Sequence, residues 1–183
     1  MTIEFKTARL ALRTIDETEA GALLDYMLRN RGFLKEWEPD RPSEYYTLEH
    51  QAHLLRHDQM TMATGQLFRV WMYPLSDPER IIGSVSLSNI VRGAFLSCHL
   101  GYRLDAEFES RGYMTEGLKP VIDYAFESLG LHRIEANIMP KNKGSLRVVQ
   151  KLGFYDEGLA RQYLKINGRW EDHIHMVLLN DKV

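Results

Sequence analysis

The 183-residue sequence contains a single cysteine, Cys98, so an internal disulfide is impossible and nothing indicates an oxidising compartment. No acid or base is spaced to activate Cys98 as a nucleophile, and we interpret it as a small buried hydrophobe. No apolar run approaches the roughly 20 residues of a membrane-spanning helix, and the first residues form no apolar signal segment. These absences predict a cytoplasmic protein with no membrane partner.

An excess of either charge is also lacking. The 23 Lys and Arg residues nearly balance the 25 Asp and Glu residues, for a formal net charge of −2 at pH 7. Direct nucleic-acid binding requires a basic surface and is therefore not expected. Since no linker, repeat or low-complexity segment interrupts the chain, we expect a single domain over residues 1–183.

Potential metal ligands are few. His50, His53 and His57 share one face of a predicted helix, but no cysteine or carboxylate completes the set. A polar helix face is normally solvated, so we predict no metal site.

The most informative segment is a strand, a short polar loop and a helix, with the loop at residues 109–117. Apolar residues from Leu118 to Leu129 recur at helical spacing after it. Backbone N–H groups at the start of such a helix have no partner within the helix and point toward its positive end, which favours phosphate. The loop is neither GxGxxG nor GxxxxGK[ST], so this pattern alone is a weak indication.

The order of elements indicates an α+β fold. Alternation predicts strands at residues 8–14, 67–74, 81–89, 98–104 and 133–138, and apolar spacing predicts helices near residues 20–28 and 48–63. Asn142 begins a short helix that stops at Gly153, and Asn167-Gly168 marks the tip of a final long hairpin.

This chain resembles the GNAT acetyltransferase superfamily. The pyrophosphate-loop pattern of that superfamily, Gln or Arg, two residues, Gly, one residue, then Gly or Ala, falls on Glu109, Gly112 and Met114. Both flanking positions depart from it, and since backbone N–H groups suffice for a pyrophosphate, we expect binding to survive with Glu109 turned away. Within the superfamily the sequence looks like the RimJ/RimL group, and RimJ enzymes above all, in segments that include residues 30–39, 136–143 and 163–173.

The resemblance implies a GNAT fold, with a mixed and largely antiparallel central sheet of about seven strands flanked by helices. It also implies acetyl transfer from acetyl-CoA to an amine, most simply the N-terminal α-amine (Ala or Ser) of a protein such as a ribosomal protein. Two alternatives stay open: a GNAT enzyme for a small-molecule amine, and a non-catalytic acetyl-CoA-binding protein. The oligomeric state is open between monomer and homodimer.

Site residues follow from the same resemblance. The predicted cofactor-binding residues are Tyr102, Arg103, Leu104, Glu109, Ser110, Arg111, Gly112, Tyr113, Met114, Thr115 and Asn142. Ser145 is expected to protonate the leaving thiolate while Asn142 anchors the pantetheine arm, and both residues can also cap the short helix. Glu38, or a water held by His99, is the expected base, with Trp37, Glu38 and His99 at the substrate. An acidic mouth formed by Glu36, Glu38 and Asp40 would suit basic N-terminal segments.

Overall fold

A single eight-stranded sheet organises the computed structural model, which describes residues 3–182. The strand order is β1-β2-β3-β4-β5-β6-β8-β7, and every neighbouring pair is antiparallel except β5 with β6. The strands are β1 (Glu4–Lys6), β2 (Leu10–Arg13), β3 (Phe68–Pro74), β4 (Gly83–Val91), β5 (Ser97–Leu104), β6 (Arg133–Ile138), β7 (Tyr155–Ile166) and β8 (Arg169–Leu179). The predicted mixed, largely antiparallel sheet is confirmed, with the short β1 as an edge strand that no sequence pattern indicated.

Four α-helices cover the two faces of the sheet. They are α1 (Ala20–Leu34), α2 (Leu48–Ala63), α3 (Tyr113–Asp123), which continues into a π-helical turn at Tyr124–Ser128, and α4 (Lys143–Lys151). Alternation along β3 divides the core: Trp71 and Tyr73 pack with α1 and α2, whereas Val70 and Met72 pack with α3 and α4.

Cys98 belongs to the core on the α3 side of the sheet. Burial raises the pKa of its thiol to about 12, so the thiol stays protonated at neutral pH. This agrees with its interpretation as a buried hydrophobe.

The parallel pairing of β5 with β6 is short. It extends from Ser97 opposite Arg133 to His99 opposite Glu135, and the two strands then part. The carbonyl of Leu96 accepts hydrogen bonds from the amides of residues 132 and 133, so alternate residues of β5 face β6. The amides of Tyr102 and Leu104 therefore face a gap in the sheet.

None of the helices within residues 3–182 combines the length and apolar character needed to cross a bilayer. Over the same range, no three His, Cys, Asp or Glu side chains are grouped as metal ligands.

Candidate active site

A cavity of about 740 Å³ occupies the gap between β5 and β6. One end lies at the loop before α3, and the other lies beside Trp37 and Glu38, which follow α1. Ser145 and every predicted cofactor-binding residue except Arg111 line it. The structure therefore brings the predicted cofactor loop and two of the three predicted substrate residues, Trp37 and Glu38, to one continuous space.

Two left-handed residues shape the loop before α3. Ser110 has φ +57° and Gly112 has φ +79°, with Arg111 between them. Gly112 begins the helix without a side-chain hydrogen bond, and the first bond within the helix runs from the amide of Glu116 to the Gly112 carbonyl. The amides of residues 113–115 are thus left uncapped at the positive end of the helix dipole, which is an arrangement that binds anions.

The loop is fixed from the N-terminal segment. Glu116 accepts hydrogen bonds from the hydroxyl of Thr7 (2.6 Å) and from Nε of Arg9 (2.7 Å), while Nη1 of Arg9 donates to the Arg111 carbonyl (3.0 Å). Burial alone would raise the pKa of Glu116, but the hydrogen bonds from Thr7 and Arg9 lower it. An ionised Glu116 therefore holds Arg9 against the loop.

Met114, the bulky residue at the position where the loop pattern has Gly or Ala, is accommodated by the core. Met114 is 5% exposed and packs beneath the loop among core side chains, so its bulk lies away from the loop surface. Gly117, one turn further on, allows α3 to approach the sheet, since a Cβ there would stand 2.7 Å from Cε of Met72. Glu109 has an exposed side chain.

The opposite wall of the cavity is the start of α4. The side-chain oxygen of Asn142 accepts from the Ser145 amide (3.0 Å) and caps the helix. The Tyr102 hydroxyl donates to the Ser145 carbonyl (3.0 Å), which ties β5 to α4 across the gap. The hydroxyl of Ser145 has no part in either bond.

Three basic residues on α4, which were not predicted as site residues, also line the cavity. They are Lys143, Arg147 and Lys151. Their i, i+4, i+8 spacing on one helix face could have identified them. With the uncapped amides opposite, they favour a polyanion.

The predicted base, Glu38, is held in an ion pair. Both of its carboxylate oxygens accept from Nη1 of Arg103, at 3.2 and 3.3 Å, and Nε of Arg103 donates to the Ser84 hydroxyl (3.1 Å). The Arg103 side chain is 16% exposed. Burial alone would lower the pKa of Arg103, but Glu38 raises it, so the guanidinium stays charged.

The predicted acidic mouth is neutralised only in part. Glu36 lies 3.9 Å from Lys141, whose ammonium stands over the Trp37 ring, and Glu38 is paired with Arg103. Only Asp40 of the three acids has no cation within salt-bridge distance among the described residues. Of the three acids, only Glu38 is held in a largely buried ion pair, whereas Glu36 and Asp40 remain at the surface, so the acidic mouth stays a prediction.

His99 lies outside the cavity between the strands. It lines a second cavity of about 1250 Å³ under α2, which meets the first at Arg103. Its Nε2 is 3.7 Å from Oε1 of Glu135, and its Nδ1 is 3.1 Å from the side-chain nitrogen of Asn89. His99 therefore does not line the cavity that contains Trp37 and Glu38, and its contact with substrate stays a prediction.

Two further polar residues that the sequence analysis did not single out line the cavity. Asn137 lies on β6 just beyond the last parallel pair, and His173 lies on β8 and is 3% exposed. Strand alternation places Asn137 on the face opposite Ile138, but the position of His173 depends on the long-range pairing of β6 with β8.

The cavity can hold an elongated molecule with phosphates at one end and a reactive group at the other. Residues 9–155 match the family model described as the acetyltransferase (GNAT) domain. The chain is 41% identical over 175 residues to the probable N-acetyltransferase YjcK of Bacillus subtilis, with 96% of each chain covered. It is 38% identical over 173 residues to the ribosomal protein uS5-alanine N-acetyltransferase of Escherichia coli, covering 94% of this chain and 88% of that one.

A solved structure of the ribosomal-protein-S5-alanine acetyltransferase from Vibrio fischeri matches with a TM-score of 0.92 and 36% identity, over 98% of this chain and 97% of that one. The family model and the relatives agree with the resemblance read from the sequence. The chain therefore belongs to the GNAT family of acetyl-CoA-dependent N-acetyltransferases.

Proposed function

We propose that this enzyme acetylates the N-terminal α-amine of a ribosomal protein in the cytoplasm. The observation that carries the proposal is the continuous cavity through the sheet, which joins the anion-binding loop before α3 to a polar end at Trp37, Asn137 and His173. Two of the relatives described above are named for the acetylation of the alanine of a ribosomal protein, which supports an acceptor of the same kind here.

Acetyl-CoA would supply a thioester-activated acetyl group. The backbone amides of residues 110–115 would bind the diphosphate of acetyl-CoA, and the basic face of α4 would bind its other phosphate. The amides of Tyr102 and Leu104 face the gap and are available to the amide groups of the pantetheine arm or to the developing oxyanion. The residues present therefore fit the phosphates and the pantetheine arm of the molecule.

Ser145 is suited to the leaving thiolate. Its backbone is fixed by Asn142 and Tyr102, which leaves its hydroxyl free to donate a hydrogen bond or a proton. Asn142 combines helix capping with a position in the cavity wall.

The acid–base chemistry favours an α-amine over a lysine side chain. An α-amine has a pKa near about 8, so a sizeable fraction is neutral at pH 7, whereas a lysine near about 10.4 faces a deprotonation cost of roughly 4 kcal/mol. A polyamine would need several free carboxylates, but Glu36 and Glu38 are both paired with cations. The polar end of the cavity suits a single amine.

The test is thiol release from acetyl-CoA with peptides that begin with Ala, Ser or Met, beside free lysine and spermidine. A matched control peptide carries the same sequence and an internal lysine, but has its N-terminus blocked. We expect release with the free α-amine peptides and none with the blocked peptide. Equal thiol release with spermidine would indicate a small amine as acceptor instead of a protein. The absence of thiol release with every acceptor tested would refute the proposal.

A further inference from the structure

His173 has the geometry of a proton acceptor at the end of the cavity. Its Nδ1 lies 3.0 Å from the carbonyl oxygen of Glu171. A carbonyl can only accept a hydrogen bond, so Nδ1 carries the proton and Nε2 of the neutral ring keeps its lone pair. This is the only hydrogen bond of the imidazole within residues 3–182, and the ring lines the cavity.

The surroundings keep His173 neutral. Burial lowers the pKa of the imidazole, and the neighbouring Glu171 and Asp172 offset that effect only in part. A buried imidazole that is neutral at pH 7 is ready to accept a proton. The charged or titratable groups that face it are Glu171, Asp172 and His175 on β8, Tyr163 on β7, and Glu38 and Lys141 across the cavity.

Asn137 supplies a second hydrogen-bond acceptor at the same place. Its Oδ1 is buried and has no hydrogen-bond partner among the described residues, although the side-chain nitrogen contacts the Tyr163 hydroxyl at 3.4 Å. A buried polar atom without a partner is costly, and because Asn137 lines the cavity, a small rotation of its side chain would let a ligand that donates satisfy this acceptor. Tyr163 also packs against His173, with ring centroids 5.7 Å apart.

These two acceptors specify the chemistry of the ligand group. An ammonium or amine nitrogen carries hydrogens that can be donated to both, whereas a hydroxyl can donate to only one. The position fits as well, since Asn137 is two residues beyond Glu135, where β5 and β6 begin to part. The amine would approach the thioester from the α1 face of the gap.

We propose that His173 is the catalytic base of this enzyme and that Asn137 binds the acceptor amine. This inference rests on the proposed function. Nε2 of His173 takes one proton from the acceptor ammonium, and the neutral amine then attacks the thioester carbonyl. A carbon–nitrogen bond forms and the carbon–sulfur bond breaks. The leaving thiolate receives a proton from the Ser145 hydroxyl, which is reprotonated by the second proton of the attacking nitrogen, and His173 releases its proton to solvent.

The test compares His173→Gln with a matched variant, His175→Gln. His175 lies two residues further along the same face of β8 and also contacts the Tyr163 ring (4.8 Å between centroids), but it does not line the cavity. Each variant is assayed with an alanine peptide from pH 6 to pH 9, and acetyl-CoA affinity is measured by calorimetry to check folding.

We expect His173→Gln to lower kcat about tenfold at pH 7, because roughly a tenth of an α-amine with a pKa of about 8 is neutral there without a base, with acetyl-CoA affinity unchanged. The loss should fall below about twofold at pH 9, because the α-amine is then mostly neutral without help. His175→Gln should keep the wild-type pH profile. Asn137→Ala should raise KM for the peptide about tenfold and leave the acetyl-CoA affinity unchanged.

A loss that is equal at all pH values, or one that appears in His175→Gln instead, would overturn the assignment of His173. If His173→Gln does not fold, the Asn137→Ala variant tests the proposed amine site instead. An unchanged KM for the peptide in that variant would refute the site. Wild-type protein that acetylates no peptide would instead refute the proposed function, so the two failures are distinguishable.

Discussion

Replacement of Gly112 by alanine tests the anion-binding loop most sharply. Gly112 has φ +79°, a left-handed conformation that costs a residue with a side chain about 1–2 kcal/mol. Space is not the obstacle, since an added Cβ would meet only Nη2 of Arg9, at 3.5 Å. Because the position is exposed, an alanine there can relax toward negative φ and turn the loop amides away from the cavity.

That relaxation must be reversed when a diphosphate binds, so the strain reappears as lost affinity. A cost of about 1–2 kcal/mol corresponds to a 5- to 30-fold rise in Kd for coenzyme A, measured by calorimetry. Gly130→Ala is the matched control, because Gly130 has φ +64° with nothing within 4 Å of an added Cβ and lies outside the cavity.

We expect Gly130→Ala to lower the free energy of unfolding by about 1–2 kcal/mol while changing Kd by less than twofold. The reasoning fails if Gly112→Ala binds coenzyme A as tightly as the wild type does. It also fails if both variants lose affinity equally, because the loss would then reflect general destabilisation.

Four further variants concern the walls of the cavity and the contacts that fix the loop before α3. Ser145→Ala should lower kcat about 100-fold with little change in acetyl-CoA affinity or stability, and an equal loss of turnover and affinity would indicate a purely structural role for Ser145. Asn142→Ala should lower the free energy of unfolding by about 1 kcal/mol, because the cap of α4 is lost. Tyr102→Phe should lower the free energy of unfolding by about 1–1.5 kcal/mol in urea titrations, since the Ser145 carbonyl loses its donor, and an unchanged midpoint would contradict this. Glu116→Gln should destabilise the protein at pH 7, and the difference from wild type should vanish in acid. A carboxylate whose pKa is lowered by folding contributes stability above its unfolded pKa, and this stability is lost as the pH falls through the folded pKa. A difference in stability that persists below the folded pKa would refute the role of an ionised Glu116.

Local patterns in the sequence predicted most of the helices and strands and the two segments that form one side of the candidate site. The loop before α3 and the start of α4 are contiguous segments, so the roles expected of Gly112 and Asn142 depend on neighbouring residues only. The family resemblance supplied the order of strands around them. β1 escaped prediction because three residues cannot establish an alternating pattern.

The acceptor half of the site depends on contacts between distant segments. Glu38 looked like a free carboxylate, but the sheet brings Arg103 to it. His173 reaches the cavity only because β8, and not β7, is the strand that pairs with β6. No spacing within one segment reports such contacts, so the sequence indicated the type of chemistry more reliably than the residues that perform it.

A crystal structure of the complex with coenzyme A is the most direct measurement of where the donor binds. The diphosphate should lie within hydrogen-bonding distance of the backbone amides of residues 110–115, and the pantetheine arm should pass between β5 and β6 beside Tyr102. Coenzyme A in the larger cavity under α2, or on the surface with no contact to that loop, would contradict the account.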